Sequence, residues 1–257
     1  AEQRFHRALE LAPHHAKSFS QLGCVLYEQG LHEKALGAFK RCYELNPLDH
    51  TNFARLEILK ARQVSNASRS AHDATRRCPV KDAGKFSTDR AVEPELINAI
   101  YDLESRDFEN TPDTRFGAGR CSPDFELFRQ TSVVIRSMAT ELTEIMRQAV
   151  ACDIFVCESF FNIMTTGGGG TIPHHHVKEY DRHLDIGKQK YSLVYYLSVG
   201  DQNCSEPGVL TLSKPDEKII PNNGMIVIIP AIRPHFATYN GMQDRVMVGA
   251  NFYAINT

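Results

Sequence analysis

Residues 222–235 read Asn-Asn-Gly-Met-Ile-Val-Ile-Ile-Pro-Ala-Ile-Arg-Pro-His. The turn residues are followed by a short run of apolar residues with the length of a buried strand. A proline and then His235 close the stretch, and Arg245 follows at the start of another apolar run. We therefore predict a buried strand that leads to a histidine, with an arginine at the start of the next strand.

The second half of the chain is a series of short β-rich runs. Clusters of Gly, Pro and Asn separate these runs, which is typical of short strands joined by turns in a sandwich, barrel or jelly roll. Helices are predicted at 93–105 and 125–150, where they would flank the β core. The β-rich runs are residues 154–164, 192–199, 209–212, 225–229 and 246–253.

The first 62 residues contain an internal repeat. The pattern Ala8-Leu9-x-Leu11-x-Pro13 recurs as Cys42-Tyr43-x-Leu45-x-Pro47, a spacing of 42 − 8 = 34 residues. Apolar residues three and four apart predict two amphipathic helices between the copies, and a third helix is predicted at 48–62. The pattern resembles a tetratricopeptide repeat. Such helix pairs need neighbours, so we expect either further repeats before residue 1 or docking on the rest of the chain.

Residues 63–92 are polar and lack periodicity, so they are predicted to be a linker. The predicted organisation is therefore tetratricopeptide helices in 1–62, a linker in 63–92 and a β-rich domain with flanking helices in 93–257. The fold class is α+β.

Composition and charge argue against several classes of binding protein. The chain has 257 residues, of which 42% are apolar, and a net charge of −2, without the Lys and Arg clusters that bind nucleic acid. No apolar run approaches the length of a membrane span. The seven cysteines are odd in number and irregularly spaced, which favours free thiols and a cytoplasmic location. The sequence begins inside a helical pattern, so a targeting segment upstream stays open.

A run of histidines follows a glycine-rich turn. Residues 167–176 read Gly-Gly-Gly-Gly-Thr-Ile-Pro-His-His-His. In an extended chain, side chains two residues apart lie on one face, so His174 and His176 are expected to point the same way. These two histidines and the downstream His235 are candidate metal ligands, and neutral imidazoles suit Fe, Zn, Cu and Ni alike.

The order of these features resembles the 2-oxoglutarate-dependent oxygenases that bind Fe(II), in particular their aspartyl/asparaginyl β-hydroxylase and prolyl-hydroxylase branches. The resemblance covers residues 155–253 and implies a double-stranded β-helix, which is a jelly-roll or cupin-like core. It implies that His174 is the first iron ligand and His235 the distal ligand. Aspartyl/asparaginyl β-hydroxylases also join tetratricopeptide repeats to such a core, which strengthens the resemblance.

The resemblance also implies a binding site for the cosubstrate. Arg245 would pair with the C5 carboxylate of 2-oxoglutarate, and a guanidinium offers the bidentate, permanently charged fork that a carboxylate matches. A tyrosine hydroxyl, from Tyr195 or Tyr196, would bind the same carboxylate. Because these tyrosines are adjacent in a predicted strand, only one of them faces inward.

The third iron ligand stays open at this point. The commonest pattern places a carboxylate two residues after the first histidine, but this position is His176. A literal His-x-Asp occurs instead at His183-Leu184-Asp185, and a mixed set in which Asp181 or Asp185 folds back to the metal is a further alternative. The many charges around that motif predict a solvated loop at 177–190, over the mouth of the site.

The resemblance implies a dioxygenase that uses Fe(II), 2-oxoglutarate and O2 to hydroxylate an unactivated C–H bond, with release of succinate and CO2. The expected substrate is an amino-acid side chain in a peptide or protein that the repeats recruit. Loops 110–124 and 177–190 are expected to set specificity. Two rivals stay open: a non-catalytic repeat scaffold, and a metal cupin that does not use 2-oxoglutarate.

Overall fold

The structure is a computed structural model. It describes Phe5, Arg7 and residues 10–47, 49–67, 78–108, 119–165 and 169–255. Most of the predicted loop 110–124 and the middle of the predicted linker lie outside the described residues.

Between Ala16 and Ala67 the described residues form three helices: α1 (Ala16–Glu28), α2 (His32–Leu45) and α3 (His50–Ala67). The first two pack closely because Gly23 leaves room for a ring. A Cβ atom at Gly23 would lie 2.8 Å from the Phe39 ring. The helices lie where the 34-residue pattern predicts them, although a helical hairpin alone does not show a tetratricopeptide repeat.

The N-terminal helices dock on the β domain. Their buried apolar residues share one cluster with Leu184, Ile186 and Tyr253. The ring of Phe53 in α3 also lies 5.1 Å from that of Phe155, measured between centroids. Docking on the rest of the chain, one of the two arrangements expected from the sequence, is therefore observed.

The remaining described residues form four more α-helices, two short 3-10 helices and eleven strands. The α-helices are α4 (Pro79–Ala83), α5 (Pro94–Tyr101), α6 (Val133–Val150) and α7 (Glu179–His183), and the 3-10 helices are Leu127–Arg129 and Gly187–Gln189. The strands are β1 (Phe86–Asp89), β2 (Arg106–Asp107), β3 (Arg120–Cys121), β4 (Asp153–Met164), β5 (Gly169–His174), β6 (Lys190–Ser198), β7 (Leu210–Leu212), β8 (Glu217–Ile219), β9 (Met225–Pro230), β10 (His235–Tyr239) and β11 (Arg245–Ile255).

The strands form two antiparallel sheets. The seven-stranded sheet has the order β1-β9-β6-β11-β4-β3-β2, and the four-stranded sheet has the order β5-β10-β7-β8. Apolar residues of both sheets meet in one buried cluster, which includes Tyr196 and Met247 from the first sheet and Leu212 from the second. Two facing antiparallel sheets that share a core make a jelly-roll-like architecture.

Helices α5 and α6 cover the outer face of the seven-stranded sheet. Strand β6 shows how the two faces divide, because successive side chains point in opposite directions. Leu193, Tyr195 and Leu197 pack in the cluster beneath the helices. Tyr196 packs between the sheets. Among the described residues, none of the helices has the length and apolar character that crossing a membrane requires.

The predicted linker 63–92 differs from the structure at both ends. Helix α3 continues to Ala67, and β1 pairs with β9 at the edge of the large sheet. Exposed and half-buried residues alternate along β1. Such a polar edge strand lacks the apolar run that reveals a central strand, so it reads as irregular sequence.

The prediction of a solvated loop at 177–190 is wrong. This segment contains α7 and a 3-10 helix, and Leu184 and Ile186 are fully buried. Some of its charged side chains are buried and paired. Asp181 accepts hydrogen bonds from Lys190 at 3.0 Å and from Tyr253 at 2.5 Å. Paired buried charges gave the segment a polar composition although it belongs to the core.

Candidate metal centre and the adjacent pocket

Three histidines converge where the two sheets meet. His174 ends β5 and His235 opens β10, and the two are directly paired in the small sheet. His176 follows two residues later, and its backbone N–H donates to the carbonyl oxygen of Ala231 at 2.8 Å. One ring nitrogen of each histidine lies within 4.8 Å of the others. Strand pairing therefore brings together residues that are far apart in the sequence.

The spacing of the rings suits a single metal ion. Nε2 of His176 and Nε2 of His235 are 3.3 Å apart. Two nitrogens bound about 2.1 Å from one ion lie about 3.0–3.4 Å apart, depending on the angle at the metal. The centroid of the His174 ring is 4.5 Å from that of His235 and 4.9 Å from that of His176.

Backbone carbonyl groups hold two of the rings in the orientation that metal binding needs. Nδ1 of His174 donates to the carbonyl oxygen of Ile172 at 2.6 Å, and Nδ1 of His235 donates to that of Arg233 at 3.1 Å. A carbonyl oxygen only accepts, so both protons are on Nδ1. Each Nε2 therefore carries a free lone pair, which is the usual state of a metal-binding histidine.

The cluster is neutral at physiological pH. Burial, reinforced by the neighbouring histidines, lowers the pKa of His176 to about 2 and that of His235 to about 4. Burial also lowers the pKa of His174. A neutral imidazole has one ring nitrogen with a free lone pair, so metal binding requires no net release of protons from the cluster.

These shifts predict acid lability of the metal-free protein. A buried histidine with a lowered pKa stays neutral in the folded state while its unfolded counterpart takes up a proton below about pH 6.5. The stability contribution is thus full above pH 6.5 and is lost as the pH falls toward 4. For His235 the loss at pH 5 is on the order of 2 kcal/mol. Urea unfolding at pH 7.5 and pH 5 measures it, and His235→Asn should show a smaller difference between the two.

Arg245 lies at the other end of the same pocket. Its side chain is fully buried, and within the described part of the chain its Nε and Nη2 atoms have no hydrogen-bond partner. Nη1 is 3.5 Å from the carbonyl oxygen of Pro207. The guanidinium lies over the ring of Tyr196, 5.0 Å from its centroid, and burial lowers the Arg245 pKa. Such a charge is costly unless an anion joins it.

Gly208 makes room for this guanidinium. A Cβ atom at Gly208 would lie 2.0 Å from Nη1 of Arg245, and the residue has a φ of +77°. Glycine at position 208 therefore allows both the turn between two strands and the close approach of the Arg245 side chain.

One pocket connects the histidines with Arg245. Strands from both sheets form its walls, with apolar residues on most sides and a few polar groups. The lining residues beyond the three histidines, Arg245 and Tyr196 include Phe160, Asn162, Thr171, Leu210, Ala237 and Met247. An apolar pocket with a few convergent polar groups is typical of a small-molecule site.

The two candidate tyrosines are on opposite faces of β6. Tyr196 points into the pocket beside Arg245. Tyr195 points to the helical layer, where its hydroxyl donates to the carbonyl oxygen of Ala91 and accepts from Arg90, both at 2.9 Å. The prediction that Tyr195 binds the cosubstrate is therefore corrected, because the strand alternation turns it away from the pocket.

The structure does not bring His183 and Asp185 to the histidine cluster. His183 is exposed and pairs with Glu28 and Glu179. Asp185 is exposed, with a φ of 51°. The prediction of His183 and Asp185 as alternative ligands is wrong, because helix α7 turns that segment toward the N-terminal helices. Asp181 is also elsewhere, in the buried pair with Lys190.

Asn251 also lies beside the histidine cluster, although it is not among the site residues predicted from the sequence. It is buried in β11, and its amide nitrogen lies 3.2 Å from Nδ1 of His176. No motif marks an asparagine in an apolar strand as part of a metal site. Only the pairing of β11 with its neighbours shows it.

No protein-family model and no curated protein matches the sequence. Solved structures are similar in fold. The non-haem α-ketoglutarate-dependent epimerase SnoN from nogalamycin biosynthesis aligns with a TM-score of 0.54 and 12% identity, over 68% of this chain and 80% of that one. The carbocyclase SnoK from the same biosynthesis aligns with a TM-score of 0.51 and 10% identity, over 72% and 86%.

A prolyl hydroxylase from Trichoplax adhaerens, in complex with a peptide fragment, aligns with a TM-score of 0.49 and 11% identity, over 76% of this chain and 91% of that one. At these identities the comparisons bear on the fold only. The chain therefore shares its mixed helical and antiparallel-sheet fold with two non-haem α-ketoglutarate-dependent enzymes.

Proposed function

We propose that the chain is a dioxygenase that binds Fe(II) at His174, His176 and His235 and uses 2-oxoglutarate and O2 to hydroxylate an unactivated C–H bond. Succinate and CO2 are the products of the cosubstrate. The observation that carries this proposal is Arg245, a fully buried guanidinium with two unpartnered nitrogens in the pocket that the histidines also line. A metal site that did not use a carboxylate-bearing cosubstrate would have no need of this charge.

The histidine cluster fits an iron ion. The three neutral imidazoles supply nitrogen donors from one side, and imidazole is a suitable ligand for iron. Three histidine ligands carry no negative charge, whereas the common ligand set of two histidines and a carboxylate carries one. When bound, the iron supplies the activation of O2. The chain supplies ligand geometry and an apolar pocket that excludes bulk water around the reacting groups.

The arginine end of the pocket fits the distal carboxylate of 2-oxoglutarate. Nε and Nη2 are adjacent donors on one edge of the guanidinium, and a carboxylate accepts from both in the bidentate arrangement. The anion would complete the hydrogen bonding of a charge that burial now penalises. Tyr196 lies against the same guanidinium, and its hydroxyl is proposed to bind the same carboxylate.

The two tyrosines provide a matched pair for testing this assignment. Tyr196→Phe is expected to weaken 2-oxoglutarate binding about tenfold, which is the usual effect of losing one hydrogen bond to a charged group. Tyr195→Phe should leave that affinity unchanged and instead lower the free energy of unfolding by about 1 kcal/mol, because its hydroxyl bonds Ala91 and Arg90. Calorimetric titration and urea unfolding measure the two effects. Equal affinities in the two variants would contradict the assignment.

Two rival functions remain distinguishable. The histidine at the usual carboxylate position favours a non-catalytic repeat scaffold, and the histidine cluster alone would also fit a metal cupin without 2-oxoglutarate. Oxygen-dependent formation of succinate by the Fe(II)-loaded full chain, absent in His235→Ala, is expected for the proposed function. Metal binding without succinate formation supports either rival instead.

The proposed substrate is a peptide or protein side chain, as in the aspartyl/asparaginyl β-hydroxylases and prolyl hydroxylases that the sequence resembles. The helices within residues 1–62 are proposed to be tetratricopeptide repeats that recruit it to the oxygenase domain in 93–257. Supporting this proposal, a groove between the helices is lined by Tyr27, Leu36, Leu59 and Arg62. A peptide library incubated with the loaded enzyme, and searched by mass spectrometry for added oxygen atoms, tests the substrate class.

A further inference from the structure

His176 is held by a side chain, whereas backbone carbonyl groups hold His174 and His235. Residues Glu158, Asn251 and Ser192 occupy directly paired positions on β4, β11 and β6. Their side chains are hydrogen bonded in a row across the sheet. The amide nitrogen of Asn251 donates to Oε2 of Glu158 at 2.7 Å, and the amide oxygen accepts from the hydroxyl of Ser192. The row reaches His176 through Asn251.

Glu158 determines which way the Asn251 amide faces. The carboxylate forms an ion pair with Lys178 and only accepts hydrogen bonds when it is ionised. Burial raises the pKa of Glu158, but its pairing with Lys178, the charge of Lys190 and the hydrogen bond from Asn251 together outweigh burial, so the net shift is downward. The amide must therefore present its nitrogen to Glu158. The same nitrogen then faces Nδ1 of His176 at 3.2 Å, so Nδ1 accepts and the ring proton is on Nε2.

This proton position completes a continuous hydrogen-bond chain in the metal-free protein. Nε2–H of His176 donates to Nε2 of His235 at 3.3 Å. That atom can accept because Nδ1–H of His235 donates to the carbonyl oxygen of Arg233. These hydrogen bonds give every ring nitrogen of His176 and His235 a partner. They also leave the ring proton of His176 on Nε2, the atom that faces the proposed metal.

We propose that Asn251 is a positioning residue whose side-chain amide turns over when a metal binds at the three histidines. This inference rests on the proposed metal site. For Nε2 of His176 to bind a cation, its proton must be on Nδ1 instead, and Nδ1–H then needs an acceptor. The turned amide supplies Oδ1 as that acceptor and presents its nitrogen to the hydroxyl oxygen of Ser192. No atom is gained or lost, because the ring proton changes from one nitrogen to the other.

Glu158 opposes the turned amide. In that orientation the amide oxygen faces a carboxylate at the distance of a hydrogen bond, and two acceptors repel each other. Glutamine at position 158 would instead donate to the turned amide. Glu158→Gln is therefore expected to tighten binding of Co(II) alone by about tenfold, the factor expected for one hydrogen bond to a polar group. Asn251→Leu, which has a similar shape and no acceptor, is expected to weaken it about 10- to 100-fold.

Two measurements on the full chain test this proposal. Nitrogen-15 NMR of labelled histidine identifies the protonated ring nitrogen, and we expect Nε2–H on His176 without metal and Nδ1–H with Zn(II) alone. Co(II) titrations compare the wild-type chain with Glu158→Gln, Asn251→Leu and the control Glu206→Gln, whose carboxylate bonds Thr238 outside the row. The control should leave Co(II) affinity unchanged.

A ring proton already on Nδ1 of His176 in the metal-free protein would overturn the proposal, and so would Glu158→Gln with equal or weaker Co(II) affinity. Both readouts use a metal alone. A chain that binds Zn(II) but not 2-oxoglutarate would therefore refute the proposed function and leave this test intact. A chain that binds neither Zn(II) nor Co(II) would refute both.

Discussion

Replacing Arg245 with methionine is expected to remove 2-oxoglutarate binding and to make the ligand-free protein more stable. Losing one partner of a buried, charge-paired contact costs about 2–5 kcal/mol, which corresponds to a loss of affinity of about 30- to 5000-fold. Methionine has a similar length and fits an apolar pocket. Metal binding should be retained, because no contact between Arg245 and the histidines holds the cluster.

The expected gain in stability follows from the two unpartnered nitrogens of Arg245. A buried charge without a partner is penalised, and replacing buried charges with apolar residues is often neutral or stabilising. The ring of Tyr196 offsets part of the penalty through a cation–π contact. We therefore expect the free energy of unfolding to rise by about 1 kcal/mol in Arg245→Met.

Calorimetry with 2-oxoglutarate on the metal-loaded protein and urea unfolding of the ligand-free protein measure the two effects. The control is Arg182→Met, since Arg182 is exposed beside His175 and should change neither quantity. Unchanged 2-oxoglutarate affinity in Arg245→Met, with a large loss of stability, would show that Arg245 has a structural role instead.

His235→Ala is expected to abolish both metal retention and turnover. Its ring is buried between His174 and His176, and Nε2 faces Nε2 of His176 directly. Removing one of three donors leaves two ligands and an enlarged pocket, so metal affinity should fall at least 100-fold. His176→Ala should lose metal for the same reason.

Asp185→Ala provides the matched control for the histidine variants. Asp185 belongs to the alternative ligand pair, and its side chain is exposed on the segment that packs against the N-terminal helices. Its replacement should leave Fe(II) affinity unchanged, as measured by competition with a chromophoric chelator. Loss of metal in Asp185→Ala with retention in His176→Ala would contradict the ligand set proposed above.

The sequence predicts the β domain well because its central strands carry their own signal. The apolar run Met225–Ile229 is fully or largely buried in β9, between β1 and β6. The histidine and the arginine that follow it occupy the first positions of β10 and β11. Period-two alternation also implied that only one of two adjacent tyrosines faces the pocket, but the sequence alone did not say which.

Other features depend on pairings between distant residues. The charges of Asp181 and Lys190 suggested a solvated loop, but their contact with each other makes burial possible. Strand β1 is polar on its exposed positions and was assigned to a linker. Asn251 reaches His176 only because β11 pairs with β4 and β6 in a particular register. Local patterns carry no information about such partners.

The histidines and Arg245 are proposed to form one site for Fe(II) and 2-oxoglutarate. Anaerobic titration of the metal-free full chain with Fe(II) and then 2-oxoglutarate tests it most directly, by the visible metal-to-ligand charge-transfer absorption. We expect a band that requires both additions, is absent in Arg245→Met, and bleaches when oxygen is admitted as succinate forms. Iron binding without any such band would refute a shared site for Fe(II) and 2-oxoglutarate.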